Sequence, residues 1–161
     1  MSYIDDVRQM LRNVILNIDR YNSLREIVQD KDLAKLGDSL VNFTYSLAKS
    51  LVLKRPEAWK VSDRVLSRAL EDACLLKILP KRSDRHSKGD AVEALLAYAW
   101  LVEIFNIKDI VMVLKGEMDP MDFSNKKLEV NAAVKAFKRL LEEVIPKIEI
   151  FLTMRKVKKI S

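Results

Sequence analysis

Along most of this chain, apolar residues recur at the three- and four-residue spacing of a helix face. Ile4, Val7, Leu11, Val14, Ile15 and Ile18 mark a first helix, and the pattern can run on past Asn22-Ser23 to Ile27 and Val28. A second helix begins near Asp30 and carries Leu33, Leu36, Leu40, Phe43, Leu47 and Leu51. It ends before Pro56, because the residue preceding a proline disfavours helix. Ser62 can cap a third, with Leu66, Leu70, Ala73 and Leu76 on its buried face and its end before Pro80. Residues Pro80 to Lys88 read as a basic polar loop. After it come a helix containing Asp90 that runs to about Phe105, a short helix from Ile107 to Lys115, and a turn at Asp119-Pro120. The last periodic stretch, Asn125 to Met154, spans about 45 Å if unbroken, with a kink expected at Pro146. Strand alternation, internal repeats and interdomain linkers are absent, so the pattern predicts an all-α fold in a single domain over residues 1–161.

Composition narrows this picture. A chain of 161 residues that is 49% hydrophobic can bury a substantial core. Its longest apolar runs, such as Ala91 to Phe105, are interrupted by Glu93 and Glu103 and fall short of the ~20 residues of a membrane span. Asp5 and Asp6 stand where a secretory leader would place cations. The expectation is therefore a cytoplasmic protein with no membrane partner. The one cysteine, Cys74, excludes an intrachain disulfide and a cysteine-rich zinc site, and reads as a small buried hydrophobe. A net charge of +6 favours an anionic partner without identifying it.

Candidate chemistry enters with the glycines. There are only three in the chain, and two stand directly before an aspartate, as Gly37-Asp38 and Gly89-Asp90. Glycine inside a helix costs roughly 1 kcal/mol relative to alanine, so its placement there suits a close approach to the backbone. Glu93 follows Asp90 by three residues, which puts both carboxylates on one helical face. Three carboxylates on two helices are material for a divalent-metal site. The absences are equally informative: three glycines supply neither a dinucleotide fingerprint nor a phosphate loop, and a single histidine, His86, excludes a two-histidine acid–base pair. His86 itself reads as a solvated loop residue or a contact to an RNA backbone. Carboxylate and metal chemistry remain.

Leu36-Gly37-Asp38-Ser39-Leu40-Val41-Asn42-Phe43 resembles the signature helix of ribonuclease III. Asp90-Ala91-Val92-Glu93-Ala94-Leu95 resembles the second acidic motif of that family, in the same order and in a helical context. The resemblance covers roughly residues 25 to 105. It implies a homodimeric endonuclease cutting double-stranded RNA, in which Asp38, Asp90 and Glu93 bind or orient Mg2+, with Mn2+ able to substitute. The family usually has Leu-Glu-Phe-Leu-Gly-Asp where this chain has Leu33-Ala34-Lys35-Leu36-Gly37-Asp38, so one glutamate and a dimer-knitting aromatic are replaced. The mini-ribonuclease III branch tolerates alanine at the position of Ala34 and, like the reading of this chain, has no separate double-stranded-RNA-binding domain.

Candidate RNA contacts are Lys81, Arg82, Arg85 and Lys88, just upstream of the second acidic motif, where they could hold phosphates. The tail from Arg155 to Lys159 reads either as a disordered phosphate-binding arm or as a soluble end. Trp59 and Trp100 read as core or interface residues. Two alternatives compete with the enzyme: a non-catalytic RNA-binding or assembly protein that keeps the fold, and a helical interaction module in which Asp38 or Glu93 pairs with a lysine such as Lys35 or Lys88.

Overall fold

The computed structural model describes residues 3–161, apart from the side chain of Val14. The expected place of Val14 on the first apolar face thus lies outside the described residues. The described residues form helices α1 (Tyr3–Met10), α2 (Leu24–Val28), α3 (Lys31–Leu53), α4 (Asp63–Asp72), α5 (Arg85–Leu101), α6 (Ile107–Gly116) and α7 (Lys126–Ile160), with short π and 3-10 turns between them. Among these residues there is no strand, as the helical periodicity predicts. No described helix is long and apolar enough to cross a membrane.

Helix α5 is the axis of the molecule. It packs against α2, α3, α4 and α7, and every residue from Gly89 to Ala99 is buried. A helix enclosed on all sides is expected to be apolar all round, and apart from Glu93 the run from Ala91 to Leu101 meets this, with small alanines that let its neighbours come close. The two carboxylates it carries, Asp90 and Glu93, are buried with it.

Helix α3 starts where Asp30 caps it, its Oδ1 accepting from the amides of Asp32 at 2.9 Å and Leu33 at 3.0 Å. Leu33, Ala34, Gly37, Val41, Thr44, Tyr45 and Ala48 form its buried stripe. At Gly37 the contact with α5 is backbone to backbone. A Cβ built there would overlap the carbonyl of Glu93 and stand 2.8 Å from the Glu93 Cα. This is the reason for a glycine in mid-helix: no residue with a side chain permits so close an approach.

A second device returns the chain to the same spot. After Lys54, in the left-handed conformation at φ 56°, the chain runs back extended along α3. There Ser50 Oγ accepts from the amide of Glu57 at 2.9 Å, Ser46 Oγ from Trp59 at 3.0 Å and Asn42 Oδ1 from Val61 at 2.7 Å. Four helical residues rise about 6 Å and two extended residues about 6.6 Å, so polar side chains four apart meet amides two apart. The strap delivers Lys60 to Asp63 to the face of α3 that carries Asp38.

Several boundaries differ from the periodicity. The first pattern is not one helix, because Asn17 adopts the left-handed conformation at φ 44° and divides it. Helix α4 is capped by Ser62 as expected but ends at Asp72, since Cys74 is left-handed at φ 59°. Cys74 is consequently exposed and not a core residue, and Leu76 is exposed as well. The basic stretch Pro80 to Lys88 is a loop only as far as Asp84, whose side chain caps α5 by accepting from the Ser87 amide at 2.8 Å. Helix α7 continues through Pro146 to Ile160, so the basic tail is helical, and Arg155 is anchored by its Nη2 donating to the carbonyl of Asp19 at 2.7 Å. Trp59 and Trp100 are partly buried against the core.

The Gly37 contact yields a stability prediction. Gly37→Ala should destabilise the fold by about 3 kcal/mol or more, at the upper end of overpacking costs, because backbone on α5 cannot turn aside as a side chain can. Urea denaturation measures this; a loss below about 1 kcal/mol, the ordinary gain in helix propensity notwithstanding, would contradict the contact.

Candidate active site

Asp38, Asp90 and Glu93 line a single cavity of about 430 Å³, together with Lys31, Ala34, Lys35, Lys60, Val61, Ser62, Asp63 and His86. Each wall follows from a feature already described. The Gly37 contact sets Asp38 beside Glu93, one helical turn of α5 brings Asp90 to the same side, and the strap from α3 supplies Lys60 to Asp63. The cavity thus holds four acids where the sequence reading named three.

The fourth, Asp63, is seated by the second glycine. A Cβ at Gly89 would stand 2.7 Å from Asp63 Oδ1, so the Gly-Asp pair on α5 makes room for another carboxylate. His86 joins the two helices: its Nδ1 lies 3.0 Å from Asp63 Oδ2 and its Nε2 lies 3.6 Å from Asp90 Oδ2. The hydrogen bond to Asp63, and then the charge of Asp90, raise the His86 pKa above its ordinary value. Lys31 Nζ donates to Asp90 Oδ2 at 2.5 Å.

Asp38 and Glu93 are compensated differently. Asp38 Oδ1 accepts from Asn42 Nδ2 at 3.1 Å, the same asparagine that holds the strap. Among the described residues neither acid forms an ion pair: Lys35 is with Asp32 at 3.3 Å and Lys88 with Glu71 at 2.7 Å. The lysine pairings that would have made these acids merely structural therefore do not occur. Burial, followed by the charges of Asp38, Asp90 and Asp63, pushes the Glu93 pKa up to about 8.

Of the expected RNA contacts, Lys81, Arg82 and Arg85 are exposed on the approach to α5 and the start of that helix, while Lys88 is engaged with Glu71. None of the four lines the cavity; its cationic rim is Lys31, Lys35 and Lys60. Sequence reasoning passed over Asp63, Lys31 and Lys60 as site residues. For His86 one signal was present, since it stands four residues before Asp90 and shares its face once the helix extends back to Arg85.

Among the described residues no group of three or more His, Cys, Asp or Glu side chains is arranged to hold a metal ion as it stands. The chemistry of the donor set nevertheless suits a hard divalent cation, which takes carboxylate oxygens. The raised Glu93 pKa reflects burial first and the neighbouring carboxylates second, and a cation beside it would favour the ionised form. Of the four acids in the cavity, Asp38 and Glu93 have no cationic partner among the described residues, and Asp90 is adjacent.

The ribonuclease III family model matches residues 31–150, which contain every residue of this cavity. The chain belongs to the ribonuclease III family. No curated protein matches it.

The position of Glu93 predicts a pH dependence of stability in chelator-treated protein. A carboxyl whose folded-state pKa is raised binds its proton more tightly when folded, so its contribution is fully present below about pH 4.5 and is lost as pH rises through about 8. Thermal melts across this window should show wild type losing stability relative to Glu93→Gln, with the variant ahead by on the order of 2 kcal/mol at pH 8. Parallel curves for the two proteins would contradict the electrostatic account of the cavity.

Proposed function

We propose that this protein is a metal-dependent endoribonuclease that hydrolyses phosphodiester bonds of double-stranded RNA. The observation that carries the reading is the meeting of Asp38, Asp90 and Glu93 in one cavity of a ribonuclease III family member, with Asp38 and Glu93 lacking cationic partners among the described residues. Mg2+ is the proposed cofactor, and Mn2+ should substitute. When bound, the cation supplies activation of water and charge stabilisation at the phosphodiester. Asp38 and Glu93 would hold it, and Asp90 would orient the arrangement from the next turn of α5.

The residues of the chain divide the remaining work. Lys35 and Lys60 on the cavity rim offset the repulsion between an acidic site and an incoming phosphate backbone. Asn42 fixes Asp38 and the strap together, which limits the reorganisation needed when substrate arrives. Recognition of A-form RNA through phosphates and 2′-hydroxyls demands little of base edges, in keeping with the basic character of the chain. Lys81, Arg82 and Arg85 are proposed as more distant phosphate contacts.

A homodimer fits the same reading. Phe43 and Leu51 on α3 are about half exposed, and Phe43, Leu47, Pro56 and Trp59 line an open recess of about 760 Å³ that adjoins the site at Asp38 and Lys60. Leu33 is committed to the protomer's own core, so pairing falls to the part of α3 after Gly37. Light scattering at tens of micromolar should give twice the 18.6 kDa chain mass; a monomer would count against a form that cuts both strands.

Ala34 favours a second reading, a non-catalytic RNA-binding protein, because it offers no oxygen where the signature helix usually carries glutamate. Incubation of several RNA duplexes with Mg2+ or Mn2+ separates the two. The enzyme should cut RNA duplexes, spare duplex DNA, leave 5′-phosphate ends, stop with excess chelator and resume with added Mg2+. Asp38→Asn and Glu93→Gln should each slow cleavage at least about 100-fold, the scale of losing one preorganised charge-stabilising group, and both should remain folded. Asp90→Asn should slow it less. Tight binding without cleavage of any duplex would establish the non-catalytic reading.

A further inference from the structure

The four acids of the cavity are not equivalent. Asp63 and Asp90 form a chain with cationic or hydrogen-bonding partners: His86 bridges them at 3.0 and 3.6 Å, and Lys31 closes the end at 2.5 Å from Asp90 Oδ2. Asp38 and Glu93, among the described residues, have no ion pair. Asp90 Oδ2 is therefore the oxygen approached by both Lys31 and His86, and its side chain is only 11% exposed. Lys31 is the first residue of α3, one helical turn before Ala34, and both line the cavity.

Charge decides how many cations such a cavity can take. A divalent ion on Asp90 would stand within ion-pair range of the Lys31 ammonium, and like charges in a partly buried site repel strongly. Ala34 adds no oxygen to offset this. A divalent ion between Asp38 and Glu93 meets two acids that, among the described residues, have no cationic side chain in ion-pair range.

We infer that Lys31 is a positioning residue that neutralises and orients Asp90, so that the chain takes one divalent cation, on Asp38 and Glu93, and not two. This rests on the metal-dependent reading above and deepens it. Lys31 acts as a built-in cation at the second position. Its side chain is 62% exposed, so its replacement leaves the core intact.

The test is the number of Mn2+ ions bound per chain, read from the paramagnetic resonance signal of free Mn2+ during titration of the whole protein. Wild type should bind one ion. Lys31→Ala should bind two over the same concentration range, Lys31→Arg should restore one, and Lys31→Ala combined with Asp90→Asn should also return to one. Circular dichroism on each variant confirms that the helices are retained, and Lys31→Met, which keeps the aliphatic stem, should behave as Lys31→Ala. Two ions on wild type, or one on Lys31→Ala and Lys31→Met, would overturn the role of Lys31 while leaving a metal-dependent nuclease in place. No Mn2+ bound by wild type would overturn this inference and the metal-dependent reading together.

Discussion

Everything about the cavity depends on two helices touching backbone to backbone at Gly37. A side chain there would overlap the Glu93 carbonyl, so the contact fixes the separation and register of α3 and α5 more tightly than side-chain packing does. The next residue on α3 is Asp38, and the residue contacted on α5 is Glu93. Two carboxylates on different helices are consequently held close by the close packing of the two backbones, whatever their mutual repulsion. The strap strengthens the arrangement, since Asn42 binds Asp38 with one end of its amide and the Val61 amide with the other.

The electrostatic consequence is an uneven cavity, in which three lysines and His86 share the lining with four acids, yet among the described residues Asp38 and Glu93 have no ion pair. Elsewhere the buried Glu129 is matched with Lys49 at 2.7 Å, and Glu103 with Arg8 at 2.8 Å. Within the cavity, Asp63 and Asp90 have His86 and Lys31, whereas Glu93 bears a pKa pushed up to about 8. Retaining an unmatched buried acid costs stability, and the cost has a use where a divalent ion is to be received. Under the proposed function the lysine rim would serve a different purpose, because a phosphate backbone would have to come close to carboxylates.

How much of this could be read from the chain follows from the range of each interaction. Helix type and order were legible because apolar spacing is local, and Ser62 and Asp30 cap α4 and α3 as their residue types suggest. The scarcity of glycine made Gly37-Asp38 and Gly89-Asp90 visible, and the fold supplies the reason for both: the first accommodates Glu93, the second Asp63. Asp63 itself was not legible, because it looks like any acid in the first turn of a helix and becomes a site residue only when the strap folds back. Lys31 is similar, distant from Asp90 by 59 positions in sequence. Cys74 was misread because a left-handed conformation is ordinarily signalled by glycine, and nothing local announces a cysteine in that role. Helix α5 starts at Arg85, inside the stretch that reads as a basic loop, because Asp84 caps it.

The most direct measurement is the anomalous difference density of Mn2+ in crystals of the protein. The account predicts a peak within carboxylate bonding distance of both Asp38 and Glu93, with Lys31 still paired to Asp90. A peak bound elsewhere, with Asp38 and Glu93 left apart from it in protein that cleaves RNA, would contradict the central claim that these two acids form the receiving site.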